Sequence, residues 1–231
     1  MNTIVTPSSR LYGLSDKQQE SIDIFRKLLL SRDMDLAATE SDSELSRWLR
    51  VNKWNLEAAF SMYKTNKCWL KFSLTAQLMD RGGELLRDIG KVICRSVWGE
   101  DLEGRPVMYF FVNKSKYGEV AQSLPTDYLI AAMLKKARDS VEICVEQSRK
   151  HGMLVDQYTN IIDLQGLNLS LVKECASKMV KQMTAATHSN FPDSANQILI
   201  INGPSAILKP AYELIKPFLA ESTQQKIKPE L

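Results

Sequence analysis

Histidine and cysteine, which often build metal and nucleophile sites, are scarce in this sequence. Its 231 residues include two histidines, His151 and His188, and four cysteines, none of which form a pair at zinc or redox spacing. The phosphate-binding patterns GxGxxG and GxxxxGKS/T are both absent. A lone histidine near a helix end is more often a capping or solvated group than a catalyst. We therefore expect no catalytic residue, no metal site and no cofactor.

Long hydrophobic runs are missing as well. No stretch of unbroken apolar residues approaches the length that spans a bilayer, and the start MNTIVTPSSR lacks the pattern of a signal peptide. We therefore expect a cytoplasmic protein that is neither secreted nor integral to a membrane. The cysteines are then expected to be reduced and mostly buried thiols, namely Cys68, Cys94, Cys144 and Cys175.

The charge is mild and evenly spread. The net charge is +3, and no basic run with interleaved aromatic residues suggests a nucleic-acid partner. Weak attraction to an anionic membrane surface is compatible with this charge. Hydrophobic residues make up 44% and charged residues 25%, which is typical of a globular domain.

The first third of the chain has helical periodicity. Ile22, Phe25 and Leu29 are spaced along one helical face behind a possible cap at Ser15, and NLEAAF begins another helix at the possible cap Asn55. We predict a flexible tail over residues 1–13 and a helical unit over residues 14–85.

Strands and helices alternate in the remainder, over residues 86–231. KVICRSV and PVMYFFV flank a turn and predict a hairpin. A long helix between Pro125 and Gly152, the strand QYTNIIDL, a further helix and the strand QILIIN follow. The pattern predicts an α/β fold with a largely parallel sheet flanked by helices.

Two features each allow two interpretations. Asp163 ends an apolar strand, where many α/β enzymes place a functional carboxylate, but it also suits a cap for the loop that follows. Flexible thioethers suit either gaps in the core or the wall of an apolar cavity, and this applies to Met133, Met153, Met179 and Met183.

The segment ILKPAYELIKPFL, Ile207–Leu219, is more apolar than a solvent-facing helix needs to be. Pro204 and Pro217 set rigid breaks around it, so we predict that this helix is a moving part. The alternative is an ordinary helix packed on a filled sheet.

The order of these segments resembles the CRAL-TRIO lipid-binding family, which includes phosphatidylinositol/phosphatidylcholine, tocopherol and retinaldehyde carriers. LSRWLRVNKWNLEAAFSMYKTNKCW resembles the family's helical start, DLEGRPVMYF its hairpin and IIDLQGL its central strand. FPDSANQILIINGPSAILKPAYELIKPFLAESTQQKI is similar to its strand and mobile gate helix. The resemblance runs from about residue 15 to residue 228 and implies a hydrophobic ligand cavity under a gate helix.

The resemblance also departs from the family pattern. One extra residue lies between Pro204 and Lys216, and the chain stops at KIKPEL, where the family continues with a further strand. The C-terminal end is therefore expected to be truncated, with an unpaired sheet edge. The resemblance implies these ligand-binding residues: Tyr158, Asn160, Ile162, Met179, Met183, Ile200, Ile207, Leu208, Ala211, Tyr212, Ile215 and Phe218.

The headgroup residues of the phosphatidylinositol carriers are only partly kept. The family's arginine, glutamate and lysine fall at Asn52, Asp193 and Lys226, and its serine and threonine for phosphatidylcholine fall at Tyr158 and Asn160. Asparagine cannot provide the charged fork with which arginine binds a phosphate. We therefore expect a ligand with a small or weakly polar head, with Lys216 and Lys226 directed at anionic membrane.

The expected function is that of a non-enzymatic carrier, peripherally associated with membranes, for one small hydrophobic molecule or phospholipid. The alternative is a protein-interaction module of the same fold that binds a regulatory partner such as a small GTPase. An α/β enzyme would need a catalytic constellation that the sequence does not show.

Overall fold

The computed structural model describes residues 13–32, 40–92, 94–112, 124–166, 178–203 and 205–229. Helices occupy the first part of this description. They are α1 (Asp16–Ser31), α2 (Asp42–Val51), α3 (Leu56–Phe72), α4 (Leu74–Arg81) and α5 (Gly83–Val92).

Side-chain caps fix where the first helices begin. The Ser15 hydroxyl accepts from the backbone N–H of Gln18, whose side chain in turn accepts from the backbone N–H of Ser15, so the two form a capping box. Asn55 Oδ1 accepts from the N–H of Ala58 at 3.0 Å. Both predicted caps are confirmed.

The first three helices enclose a core of their own. The Tyr63 ring lies at its centre, edge-on to Phe25 with centroids 6.3 Å apart and edge-on to Trp48 with centroids 5.7 Å apart. Further buried side chains complete this core, namely Ile22, Leu29, Leu45, Leu49 and Ala59.

The sheet in the described part of the chain has five strands that neighbour one another in sequence order. β1 and β2 form an antiparallel hairpin, and β2 to β5 run parallel. The predicted hairpin and largely parallel sheet are confirmed. The strands are β1 (Arg95–Glu100), β2 (Pro106–Phe111), β3 (Tyr158–Asp163), β4 (Ala195–Ile201) and β5 (Ile227–Pro229).

The helices of this part follow the strands. Crossovers between parallel strands are right-handed as a rule, and with the strand order β2-β3-β4-β5 this rule places the connecting helices on one face of the sheet. They are α6 (Thr126–His151), α7 (Lys178–Asn190), α8 (Ser205–Ile215), a 3₁₀ turn (Lys216–Phe218) and α9 (Glu221–Gln224). The longest, α6, packs against β2, β3 and α7 and ends at Gly152, whose φ of 63° is left-handed. Each helix within the described ranges is too short or too polar to span a bilayer.

Asp163 has a structural role at the end of β3. Its Oδ1 accepts from the backbone N–H of Gln165 at 2.9 Å and from Asn202 Nδ2 at 3.1 Å, and its Oδ2 accepts from the Tyr109 hydroxyl at 2.8 Å. These contacts confirm that it caps the loop after β3.

The cysteines are less buried than predicted. Cys144 is buried, Cys94 is partly exposed and Cys68 is exposed on α3. The prediction was wrong for Cys68 because its position on the helix faces away from the core around Tyr63. Cys175 lies outside the described residues.

Two carboxyl groups are buried side by side in the helical unit. Glu40 Oε1 accepts from the Tyr63 hydroxyl at 2.9 Å and from Lys67 Nζ at 2.5 Å, while Glu44 hydrogen-bonds to Glu40. Burial, together with the bond to Glu40 and its charge, raises the pKa of Glu44 to about 8. Burial opposes ionisation of Glu40 as well, but the bonds from Glu44 and Lys67 prevail and lower its pKa. The pair therefore shares one proton at neutral pH.

This shared proton predicts a pH-dependent stability. The pKa of Glu44 in the folded protein, about 8, lies above its ordinary value of 4.5. Glu44 therefore contributes to the stability of the folded state in full below pH 4.5, and this contribution is lost as the pH rises through 8. We expect the melting temperature, measured by circular dichroism, to fall between about pH 5 and pH 9. Glu44→Gln should flatten this dependence, whereas Glu57→Gln at an exposed ion pair with Arg32 should leave it unchanged. An equal slope in wild type and Glu44→Gln would contradict the assignment.

Candidate functional site

A cavity of about 510 Å³ lies on the helix-covered face of the sheet. Phe110 pairs with Ile162 across β2 and β3, and Asn160 pairs with Ile198 across β3 and β4. Because side chains alternate along a strand, these residues and Tyr158 point to one face and form the floor of the cavity.

The walls of the cavity are mainly apolar. The long helix α6 contributes Met133 and Ala137, and α7 contributes Met183. Thus Met133 and Met183 line the cavity, whereas Met153 packs against the core around Cys144. Beyond the helices, Phe191, Pro217, Phe218 and Leu219 complete the apolar wall.

A charged cluster closes one end of the cavity. The Asp193 carboxylate, with its side chain 7% exposed, accepts from Arg50 Nε and from Lys226 Nζ. Arg50 NH1 also donates to Asp156 Oδ2 at 2.7 Å, and Lys226 Nζ donates to the Ala195 carbonyl at 2.6 Å. Burial alone would lower the pKa of Arg50, but the charges of Asp156 and Asp193 outweigh it and raise that pKa. The arginine therefore stays charged.

The local backbone explains how Asp193 reaches two cations. Its φ of 51° is left-handed, a conformation that aspartate and asparagine adopt more readily than most residues. The turn follows the end of α7 and leads directly into β4. Gln157 Nε2 supports it by donating to the Asp193 carbonyl at 2.9 Å. The carboxylate is thereby directed at α2 and at the segment before β5.

The structure brings some of the predicted site residues together and separates others. The cavity is lined by Tyr158, Asn160, Ile162, Met183, Asp193, Phe218 and Lys226. Its lining does not include Asn52, Ile200, Leu208, Tyr212, Ile215 or Lys216. The side chains of Met179, Ile207 and Ala211 lie outside the described part of the structure.

Three of the residues outside the lining have other contacts. Asn52 Nδ2 donates to the Trp48 carbonyl at 2.9 Å, at the end of α2. Leu208 is buried against Gly203, where an added Cβ would lie 2.5 Å from Leu208 Cδ2. The ring of Tyr212 lies 5.9 Å from Lys216 Nζ.

Sequence reasoning missed two arginines at this site. Arg50, two residues before Asn52, is the arginine that contacts Asp193. Arg95 on β1 lines the cavity directly. The available signals were a second cation in LRVNKW and a charge within the otherwise apolar KVICRSV.

Comparisons with known proteins agree with this fold. Residues 91–229 match the CRAL/TRIO domain family. Phosphatidylinositol/phosphatidylcholine transfer protein SFH7 of Arabidopsis thaliana is 26% identical over 213 residues, which are 90% of this chain and 38% of the relative. SEC14 cytosolic factor of Kluyveromyces lactis is 27% identical over 229 residues, which are 96% of this chain and 75% of the relative.

A solved structure shows the same fold. The crystal structure of Sfh5 superimposes with a TM-score of 0.64 at 14% identity, covering 93% of this chain and 80% of that chain. This chain spans only 38% of the length of SFH7 and 37% of the length of SFH9, both from Arabidopsis thaliana.

The charged cluster predicts that two carboxylate-to-amide substitutions differ strongly in their effect on the free energy of unfolding. Asp193→Asn keeps a residue that tolerates the left-handed backbone but removes the charge between Arg50 and Lys226. We expect it to lower the free energy of unfolding by about 3 kcal/mol, because a largely buried ion pair loses one partner. Glu57→Gln, at the exposed pair with Arg32, should cost less than about 1 kcal/mol. Urea denaturation measures both, and equal effects would contradict a structural role for the cluster.

Proposed function

This chain belongs to the CRAL/TRIO domain family, and from that premise we propose that it holds one hydrophobic molecule in the cavity and exchanges it at membrane surfaces. The relatives SFH7 and SFH9 are phosphatidylinositol/phosphatidylcholine transfer proteins by name. We propose that the present chain likewise binds and carries a lipid without chemically changing it.

The observation that carries this proposal is an apolar cavity with one polar end. Its volume of about 510 Å³ lies within the range of about 300–1,000 Å³ that is usual for small-molecule sites. Transfer of a lipid tail from water to a cavity with such walls is favourable by about 0.8 kcal/mol of free energy per CH₂ group. Polar groups of the lining, which include Arg95 and Asn160 beside Asp193 and Lys226, can face the head of the lipid.

The segment after α8 is the part of the wall that we propose moves. Pro217, Phe218, Leu219 and Ala220 line the cavity from a 3₁₀ turn and the start of α9, whereas the floor is formed by sheet strands. The segment is held in place by Gln224 Nε2, which donates to the carbonyls of Leu219 at 3.0 Å and Lys216 at 3.2 Å. A few side-chain bonds of this kind break more easily than a strand ladder does.

The proposed movement extends to α8. Pro210 lies inside this helix and removes one of its backbone N–H donors. We propose that α8 and the 3₁₀ turn swing together, so that apolar residues such as Phe218 meet the membrane when the cavity is open. No contact within the described ranges favours the alternative of a GTPase-binding module.

Phe218→Asp tests the proposal. Replacing a phenylalanine that packs against the lipid removes about 1.5–3 kcal/mol of favourable burial free energy. We expect this change to lower lipid transfer roughly tenfold or more. We expect this loss in the rate at which a labelled phospholipid moves between vesicles, with only a small change in melting temperature. Gln225→Asp adds the same charge at an exposed position nearby and should transfer lipid normally. If Phe218→Asp lost folded protein and transfer in equal measure, the segment would be an ordinary core element.

A further inference from the structure

Arg95 brings a positive charge to the cavity wall and has no acidic partner among the described residues. Its guanidinium carbon lies 5.2 Å from the centroid of the Tyr158 ring, and its NH1 lies 3.5 Å from the Lys136 carbonyl oxygen. Among the residues that the structure describes, no carboxylate forms an ion pair with it. A carbonyl dipole and an aromatic face only partly replace the hydration of a guanidinium.

The other charges at the cavity balance one another. Arg50 and Lys226 are cations, and they contact the two carboxylates of Asp156 and Asp193. His188 and Tyr158 also line the cavity. Arg95 is therefore a lining cation without a carboxylate partner in the described part of the chain, and a negatively charged ligand head would supply that partner.

Asn160 offers a second polar group on the same floor. It lies two residues from Tyr158 and so points to the same face of β3. Its Oδ1 is buried and has no hydrogen-bond partner among the described residues. A half-turn of the amide exchanges oxygen for nitrogen, so Asn160 can present either a donor or an acceptor to a ligand. An unpaired buried amide is costly, and a polar ligand head removes that cost.

We propose that the cavity selects a single-chain lipid with one carboxylate, a long-chain fatty acid, whose head binds Arg95. This inference rests on the proposed lipid-binding function and specifies its ligand. The planar fork of a guanidinium matches a carboxylate with two parallel hydrogen bonds. The acyl chain lies along the apolar wall that includes Met133, Met183 and Phe218.

Head charge and size separate this ligand from different classes of phospholipid. A phosphate monoester head, as in lysophosphatidate, carries a charge of about −1.5 to −2 at neutral pH, which is more than one guanidinium neutralises. A phosphodiester head carries one negative charge, so a two-chain phospholipid differs from a fatty acid in its second acyl chain instead. A volume of about 510 Å³ is in the middle of the range for single small-molecule ligands. The sequence predicted a ligand with a weakly polar head, because Asn52 stands where the phosphatidylinositol carriers have an arginine. We propose a charged head instead, because Arg95 on β1 supplies a guanidinium to the cavity.

The test compares oleate with oleyl alcohol, two probes that share one chain and differ in the head. Dissociation constants are measured for both with wild type, Arg95→Gln and the control Arg87→Gln, an exposed arginine paired with Glu84. Dioleoylphosphatidylcholine and oleoyl lysophosphatidate serve as further probes. Thermal melting confirms that each variant is folded.

We expect wild type and Arg87→Gln to prefer oleate over oleyl alcohol by about tenfold to a hundredfold, as for a charge-assisted hydrogen-bonded pair. Arg95→Gln should lose this preference while it binds oleyl alcohol as before. Equal binding of the two probes by wild type, equal loss of both in Arg95→Gln, or tighter binding of the lysophosphatidate would overturn the assignment. Binding of phosphatidylcholine alone would overturn it and leave the lipid-binding function standing. If none of the four probes bound, both proposals would fail.

Discussion

The Asp193 carboxylate joins segments that are far apart in the sequence. It receives Arg50 from α2 in the helical unit and Lys226 from the residue before β5. Next to it, the backbone N–H of Ile198 on β4 donates to the Lys226 carbonyl at 2.9 Å, so the ion pair also sets where the last strand pairs with the sheet. This charged contact therefore links the helical unit, the turn into β4 and the segment that leads into β5. Such buried clusters specify geometry more than they add net stability, since desolvation offsets much of their attraction.

The cavity exists because its floor and its longest wall are held from other sides. The long helix α6 packs through Leu129 and Leu134 on Met79 and Ile89 of the preceding helices. The neighbouring cluster around Cys144 joins the same helix to β2 and β3. With these elements fixed, the cavity cannot close by collapse of the sheet onto α6. The remaining wall after α8 is held by short-range bonds, and it is the part of the cavity wall that we propose moves.

The sequence predicted the fold more fully than the site, and helical geometry explains one difference. The alternation of strands and helices and the caps at Ser15 and Asn55 depend on residues close together in the sequence, so the sequence pattern predicts them. Arg50 and Asn52 are two residues apart, which is about 200° around a helix of 3.6 residues per turn. Arg50 therefore faces the sheet, while Asn52 turns towards α3. Matching residues to a family motif by position does not show which of the two side chains reaches Asp193. Arg95 was missed because its partners on β3 and α6 are distant in sequence.

The most direct test of the account is the mass of the folded protein under native conditions after incubation with a total cellular lipid extract. The account predicts one bound lipid per chain, which extraction then identifies. A Met183→Trp variant, in which a larger side chain fills part of the cavity, should remain folded and lose most of the bound lipid. The mass of the polypeptide alone, in the presence of excess lipid, would contradict the central claim that this cavity is a lipid site.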